Sequence, residues 1–172
     1  MESVEIGHLT HSVAAAIRAA VSEAGTAHGP DLLHGFGLCT DNDVRTLYHV
    51  YATKDWASER EASNPEIGLI AAEWLQQSDE SEFDAISRQL ADWAQSDEQT
   101  GPIHPDRGPM IRFRVLFQAL KICRDEGLFT PDTFLCVGST DPDPLMVDLT
   151  CAAAPLLNLP EVALAYCAMM KG

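Results

Sequence analysis

The chain has 172 residues, 46% of them hydrophobic, enough to bury a sizeable core and suited to one globular unit rather than two. Eleven basic residues against 26 acidic ones give a formal charge of −15, which repels nucleic-acid backbones and anionic lipid and attracts cationic partners. No run approaches the roughly eighteen apolar residues of a membrane span, no export signal opens the chain, and five scattered cysteines form neither a zinc pattern nor a disulfide framework, so a cytoplasmic location is expected.

Residues 9–24 carry Leu9, Val13, Ile17, Ala20 and Val21 at helical spacing, with Gly25 placed to end the helix. Beyond Gly29-Pro30, residues 33–40 and 44–53 read as the two strands of a hairpin around Asp41-Asn42-Asp43. Pairing Cys39 with Arg45 sets His34, Phe36, Leu38, Tyr48 and Val50 on one face and leaves Gly35 and Gly37 on the other, where backbone or side chains approach closely. The polar stretch 54–66 reads as a loop and the apolar segment 67–74 as a candidate third strand. Ser81 with Asp84 has the spacing of a capping box and opens a helix whose stripe is Phe83, Ile86, Leu90 and Trp93, ending near residue 94. Residues 96–109, rich in Gly and Pro, form the longest expected irregular connection.

From Met110 a helix follows whose face is Met110, Phe113, Leu116, Phe117, Leu120 and Cys123. Gly127 sits where a left-handed C-cap belongs, Lys121 and Arg124 occupy the last turn, and Pro131 lies just beyond. The strand at 133–139, apolar on both sides, is expected in mid-sheet. Asp141-Pro142-Asp143-Pro144 makes a rigid turn, and helices are expected from 146 to 154 and from Pro160 to 169. The expected class is α+β: a small, largely antiparallel sheet in which the hairpin of residues 33–53 is joined by strand 133–139 and covered by helices. A doubly wound parallel sheet is the alternative, and the hairpin argues against it.

Four blocks occur in a set order: the hairpin of 33–51, Ala72-Glu73-Trp74, the helix end at 119–129 with its Asp-Glu-Gly-Leu-Phe, and the strand with its turn at 134–141. In that order they resemble the bacterial domain-of-unknown-function family 4303, over roughly residues 9 to 158. The resemblance implies a stand-alone α+β domain, and small acidic domains of that kind are often immunity or antitoxin proteins encoded beside a toxin. Residues 97–108 and 159–172 depart from the family pattern.

Between Glu73 and Glu98, eight acids (Glu73, Asp79, Glu80, Glu82, Asp84, Asp92, Asp97, Glu98) face one base, Arg88. Such a surface suits a cationic partner, and it equally serves solubility. The expected reading is a non-enzymatic protein that neutralises a basic toxin by direct binding, through Glu73, Asp79, Glu80, Glu82 and Asp84, with Trp74 and Trp56 as anchors. No cofactor, nucleic acid or membrane enters that reading. Trp93 continues an apolar stripe and belongs to a core. A metal reading would use Asp41, Asp43, Asp141 and Asp143, although these residue types are also ordinary turn formers. An enzyme reading would use Ser139 or Cys39 as nucleophile. On the proposed register His49 faces Gly35, too far along the strand from Cys39 to serve it, and nothing places His104 near either nucleophile. His8 and His11 lie one turn apart without further zinc ligands. Arg107, Arg112, Arg114, Lys121 and Arg124 gather on or before the long helix, where internal ion pairing is favoured over phosphate recognition.

Overall fold

The computed structural model describes residues 3–29, 32–64, 66–76, 82–100 and 107–172. Helix α1 (Ser3–His28) leads into strands β1 (Leu33–Thr40) and β2 (Tyr48–Thr53), then helix α2 (Lys54–Glu61). Two 3-10 turns, Ile67–Leu69 and Ala71–Glu73, precede β3 (Leu75–Gln76). Helices α3 (Glu82–Thr100) and α4 (Arg107–Asp125), strand β4 (Phe134–Ser139) and helices α5 (Pro144–Leu157) and α6 (Pro160–Lys171) complete the chain. The sheet order is β3-β2-β1-β4; β2 is antiparallel to β1 and to β3, whereas β4 runs parallel to β1. The α+β class and the mainly antiparallel sheet are those expected from the sequence.

The helix at the centre of the fold ends as its residues dictate. Gly127 takes φ +77, the Leu128 N–H donates to the Cys123 carbonyl and the Gly127 N–H to the Arg124 carbonyl, both at 3.0 Å, which is the paired arrangement of a Schellman motif. Arg124 then donates to the carbonyls of Leu157, Thr130 and Thr133, tying the end of α4 to the end of α5 and to the turn before β4. Arg18 holds Glu126 from α1 at 2.7 Å. The first helix runs one turn further than Gly25 suggested: its end is Gly29, at φ +92, whose N–H returns to the Gly25 carbonyl. An isolated glycine inside a helix is tolerated, and the left-handed residue is what stops it.

The hairpin register differs from the expected one. Cys39 pairs with Tyr48, not Arg45, so Leu38 faces His49 and Phe36 faces Tyr51. Tyr48 and Val50 therefore share the side of Gly35 and Gly37, while His49 and Tyr51 share the side of Phe36 and Leu38. The cause lies in residues 41–47, which never join the ladder. Val44 and Leu47 are buried, Val44 at φ +53, and the Leu47 N–H and carbonyl both bond the Ser87 hydroxyl of α3, at 2.8 and 3.0 Å. A helix side chain has taken the partners that a hairpin would have used.

Other expectations also shift. Residues 54–61 are helical because the Thr53 hydroxyl caps the Trp56 N–H at 3.2 Å; the helix buries only Ala57, so it leaves no apolar stripe to read. The third strand is Leu75–Gln76, and the segment before it forms 3-10 turns. α3 continues to Thr100, and Ser81 of the expected capping box and residues 101–106 lie outside the described residues. β4 is an edge strand, not a central one. Its outer edge is covered by α5 and its end: the Asn158 amide accepts from the Leu135 N–H (2.7 Å) and donates to the Leu135 carbonyl (2.8 Å), and Thr150 donates to the Val137 carbonyl (2.9 Å). A side-chain amide thus takes the place of a neighbouring strand, and both faces of this edge strand are apolar because each packs on its own core.

The two sheet faces carry separate cores. Phe36, Leu38, Tyr51, Leu135 and Val137 meet the stripes of α1, α3 and α4 on one side. On the other, Val50, Ala52, Cys39, Phe134 and Cys136 meet Trp74, Ala154 and the α6 residues Ala163 and Tyr166.

Candidate functional site

The acidic face of α3 is half committed to the fold. Arg112 on α4 is buried, and it pairs with the Asp97 carboxylate at 2.7 Å, donates twice to the Asp43 carbonyl (3.1 and 2.9 Å) and lies over the Trp93 ring, 5.8 Å from its centroid. Burial lowers its basicity, and the Asp97 charge opposes that shift. Arg45 pairs with Glu98 and, at 3.2 Å, with Asp43. Asp97 and Glu98 therefore anchor α3 against α4 and the hairpin loop. Internal pairing, expected for the bases around α4, holds for Arg112 and for Lys121, which bonds Asp125 at 2.8 Å; Arg124 serves carbonyls instead. Arg107 and Arg114 are exposed.

What stays open to solvent is the stripe Asp84, Arg88, Asp92, at four-residue spacing on the outer side of α3, together with Glu73. Arg88 donates to the Asp84 carbonyl at 3.3 Å. Asp79 and Glu80 lie outside the described residues, as does the side chain of Glu82. The three tryptophans divide. Trp93 is core, as its stripe required. Trp74 is buried too, edge-on to Phe134 (5.8 Å, 85°) and pressed over Gly35, so its ring is not offered to a partner. Trp56 is half-exposed, with the Arg60 guanidinium 4.7 Å above its ring, and remains as the anchor candidate.

The aspartates proposed for a metal are turn builders. Asp41 accepts from the N–H groups of Asp43, Arg45 and Thr46 and from the Thr46 hydroxyl, at 2.8 to 3.1 Å, which uses both of its oxygens. Asp143 caps α5 through the Met146 N–H at 2.8 Å. Asn42 joins the two turns, donating to the Asp141 carbonyl (3.0 Å) and accepting from the Asp143 N–H (3.3 Å). The loops meet, but among the described residues no group of three or more His, Cys, Asp or Glu is arranged to hold a metal ion.

Ser139 ends β4, and Cys39 lies one residue before the end of the adjacent β1. The Ser139 hydroxyl accepts from the Asp141 N–H at 3.3 Å. Cys39 is buried, its thiol pushed up to about 11 by that burial although the Tyr48 hydroxyl bonds it. His49 is one residue along from Cys39's partner, closer than the expected register allowed, yet on the opposite sheet face, between Phe36 (5.8 Å) and Phe83 (5.0 Å). The strand pleat, not distance along the strand, keeps this imidazole from the thiol. His104 lies outside the described residues, and His8 and His11 are exposed on α1, where His11 Nδ1 bonds the Gly7 carbonyl at 2.8 Å.

A cluster that sequence reading missed fills the glycine side of the sheet. Tyr48 bonds Cys39, Tyr166 bonds Cys136, and Cys151 and Cys167 lie next to them between α5 and α6. Burial holds the Cys136 thiol well above its ordinary range. The signal was the period-two run Gly35, Gly37, Cys39 against Phe134, Cys136, Gly138, which needed the parallel register of β1 and β4 to be read as one surface.

A family model described as "Domain of unknown function (DUF4303)" matches residues 13–159. The chain belongs to that family. The DUF4303 span takes in the sheet, all three tryptophans, the acidic face of α3 and the covered edge of β4; α6 follows it. No curated protein matches the chain, and neither does any solved structure. Among the described residues, no helix of this DUF4303 protein is long and apolar enough to cross a membrane.

Proposed function

We propose that this DUF4303 protein is a non-enzymatic binder of a cationic protein, of the immunity or antitoxin type, acting in the cytoplasm on a toxin encoded nearby. The observation that carries the reading is the division of labour among the acids on and before α3: Asp97 and Glu98 are held by Arg112 and Arg45, while Asp84 and Asp92, and Glu73 in the turn ahead of the helix, face solvent in a chain of formal charge −15. Charge of this kind speeds encounter and selects the partner, and affinity then depends on a few desolvated anchors. Trp56 takes that role, since Trp74 is spent on the interior.

The test is association with the purified product of the neighbouring gene, at low and at moderate salt. Replacing Asp79, Glu80, Glu82, Asp84 and Asp92 by Asn or Gln should lower the association rate about tenfold at low ionic strength. Trp56→Ala should raise the dissociation rate. Absence of binding, or binding indifferent both to salt and to these replacements, would reduce the acidic face to a solubility device.

A further inference from the structure

Helices α5 and α6 fold back on one another about Asn158 and Leu159, and Cys151 and Cys167 each lie eight residues from Leu159. That symmetry brings the two cysteines level across the hairpin. Ala154 on α5 and Ala163 on α6 are small and buried in one apolar cluster. The Cys167 thiol donates to the Cys151 carbonyl at 3.5 Å, and its sulfur is near enough to the Cys151 thiol to raise that thiol's pKa. Both are partly exposed, whereas Cys39, Cys123 and Cys136 are buried.

We propose that Cys151 and Cys167 form an oxidisable dithiol that closes to a disulfide by exchange with a low-molecular-weight disulfide such as oxidised glutathione. Burial and the neighbouring thiol push Cys151 up to about 11, so it is the poorer first nucleophile. The Cys167 thiolate attacks the small disulfide, whose S–S bond breaks; a mixed disulfide forms and one thiol leaves, taking the proton lost by Cys167. Cys151 then gives up its proton and attacks the Cys167 sulfur, the mixed S–S bond breaks, and the second thiol leaves with that proton. The protein loses two electrons and two protons, and the small disulfide becomes two thiols.

The bond would fasten the cover of the glycine face. Tyr166, one residue before Cys167, stands edge-on to Phe134 at 4.9 Å, and with Ala163 it closes the smaller core. Oxidation would therefore pin α6, the element beyond the family span, over the sheet.

The full chain is incubated with oxidised glutathione at mildly alkaline pH, and free thiols are titrated after denaturation. The expected result is a fall from five thiols to three, a loss of two hydrogens in the intact mass, and a single linked peptide pair containing Cys151 and Cys167. Cys151→Ser and Cys167→Ser should each abolish the linkage and leave at most a glutathione adduct, with Cys167→Ala standing in should the serine variants fail to fold. Cys39→Ser should leave it intact. Retention of all five thiols in the wild-type chain, a mixed disulfide that persists unresolved on Cys167, or a link to Cys39 or Cys136 instead would overturn the assignment. Amide exchange in α6 should slow in the oxidised protein, and unchanged exchange would overturn the pinning of the cover.

Discussion

Substituting alanine at Gly35 tests the packing of the glycine face most directly. An added Cβ would lie 2.4 Å from Trp74 Cη2, 2.8 Å from Cζ2 and 3.0 Å from Cζ3, where carbon atoms rest at about 3.5 to 4.0 Å. The indole must therefore withdraw by about 1 Å, and Phe134 stands edge-on beside it. A contact as short as 2.4 Å puts the overpacking in the upper part of its usual range, about 2–3 kcal/mol, and replacing a strand glycine returns about 0.5–1 kcal/mol of backbone entropy, leaving a net loss of about 1–2.5 kcal/mol. In a chain of this length each kcal/mol corresponds to about 2–4 °C in Tm. Urea unfolding followed by circular dichroism reads it, with the same substitution repeated in a Trp74→Phe background. The smaller ring lacks the atoms that collide, so Gly35→Ala should cost little there although Trp74→Phe is itself destabilising, and the cycle should show a coupling of about 1–2.5 kcal/mol. A Gly35→Ala protein as stable as the parent, or an equal cost in both backgrounds, would refute the reasoning.

Gly127→Ala should cost about 1 kcal/mol in the same assay, all of it conformational, because nothing lies within 4 Å of the added carbon while φ is +77. Arg112→Ala strands the Asp43 carbonyl and the Asp97 carboxylate and should cost about 2–3 kcal/mol; Arg112→Lys should recover only part, since a single ammonium cannot reproduce the fork that serves both. Asp132, bonded by Thr130 and by Lys54 at 3.0 Å, has its carboxyl pulled down from 3.8 to about 2. A depressed carboxylate stabilises the fold above its unfolded value and ceases to do so as pH falls through the folded one. The stability gap between the parent and Asp132→Asn, under about 1 kcal/mol for so exposed a pair, should therefore be full at neutral pH and close between about pH 4 and 2. A gap that widens on acidification would refute the sign.

The features legible in the sequence are those whose causes are local. The stripe of α4 from Phe113 to Cys123, its Gly127 end and the Pro160 start of α6 each depend on residues within a turn or two of one another, and each forms where the chain predicts it, whereas Met110 is exposed and α5 starts at Pro144, two residues before the expected 146, because Asp143 caps it. Period-two alternation likewise placed Gly35 and Gly37 on one strand face. Partner choice decided the rest. The hairpin register turned on Ser87 of α3 claiming the backbone of Leu47, forty residues away, and the position of β4 turned on the Asn158 amide standing in for a strand. Trp74 reads from its acidic neighbours as a surface anchor, yet the hollow above Gly35, made only when β1, β2 and β4 are assembled, draws it inside. The acids of α3 carry the same formal charge in sequence, and only the placement of Arg45 and Arg112 separates those that hold the fold from those that face water. Backbone conformation answers to near neighbours, whereas burial and pairing answer to whatever the folded chain brings alongside.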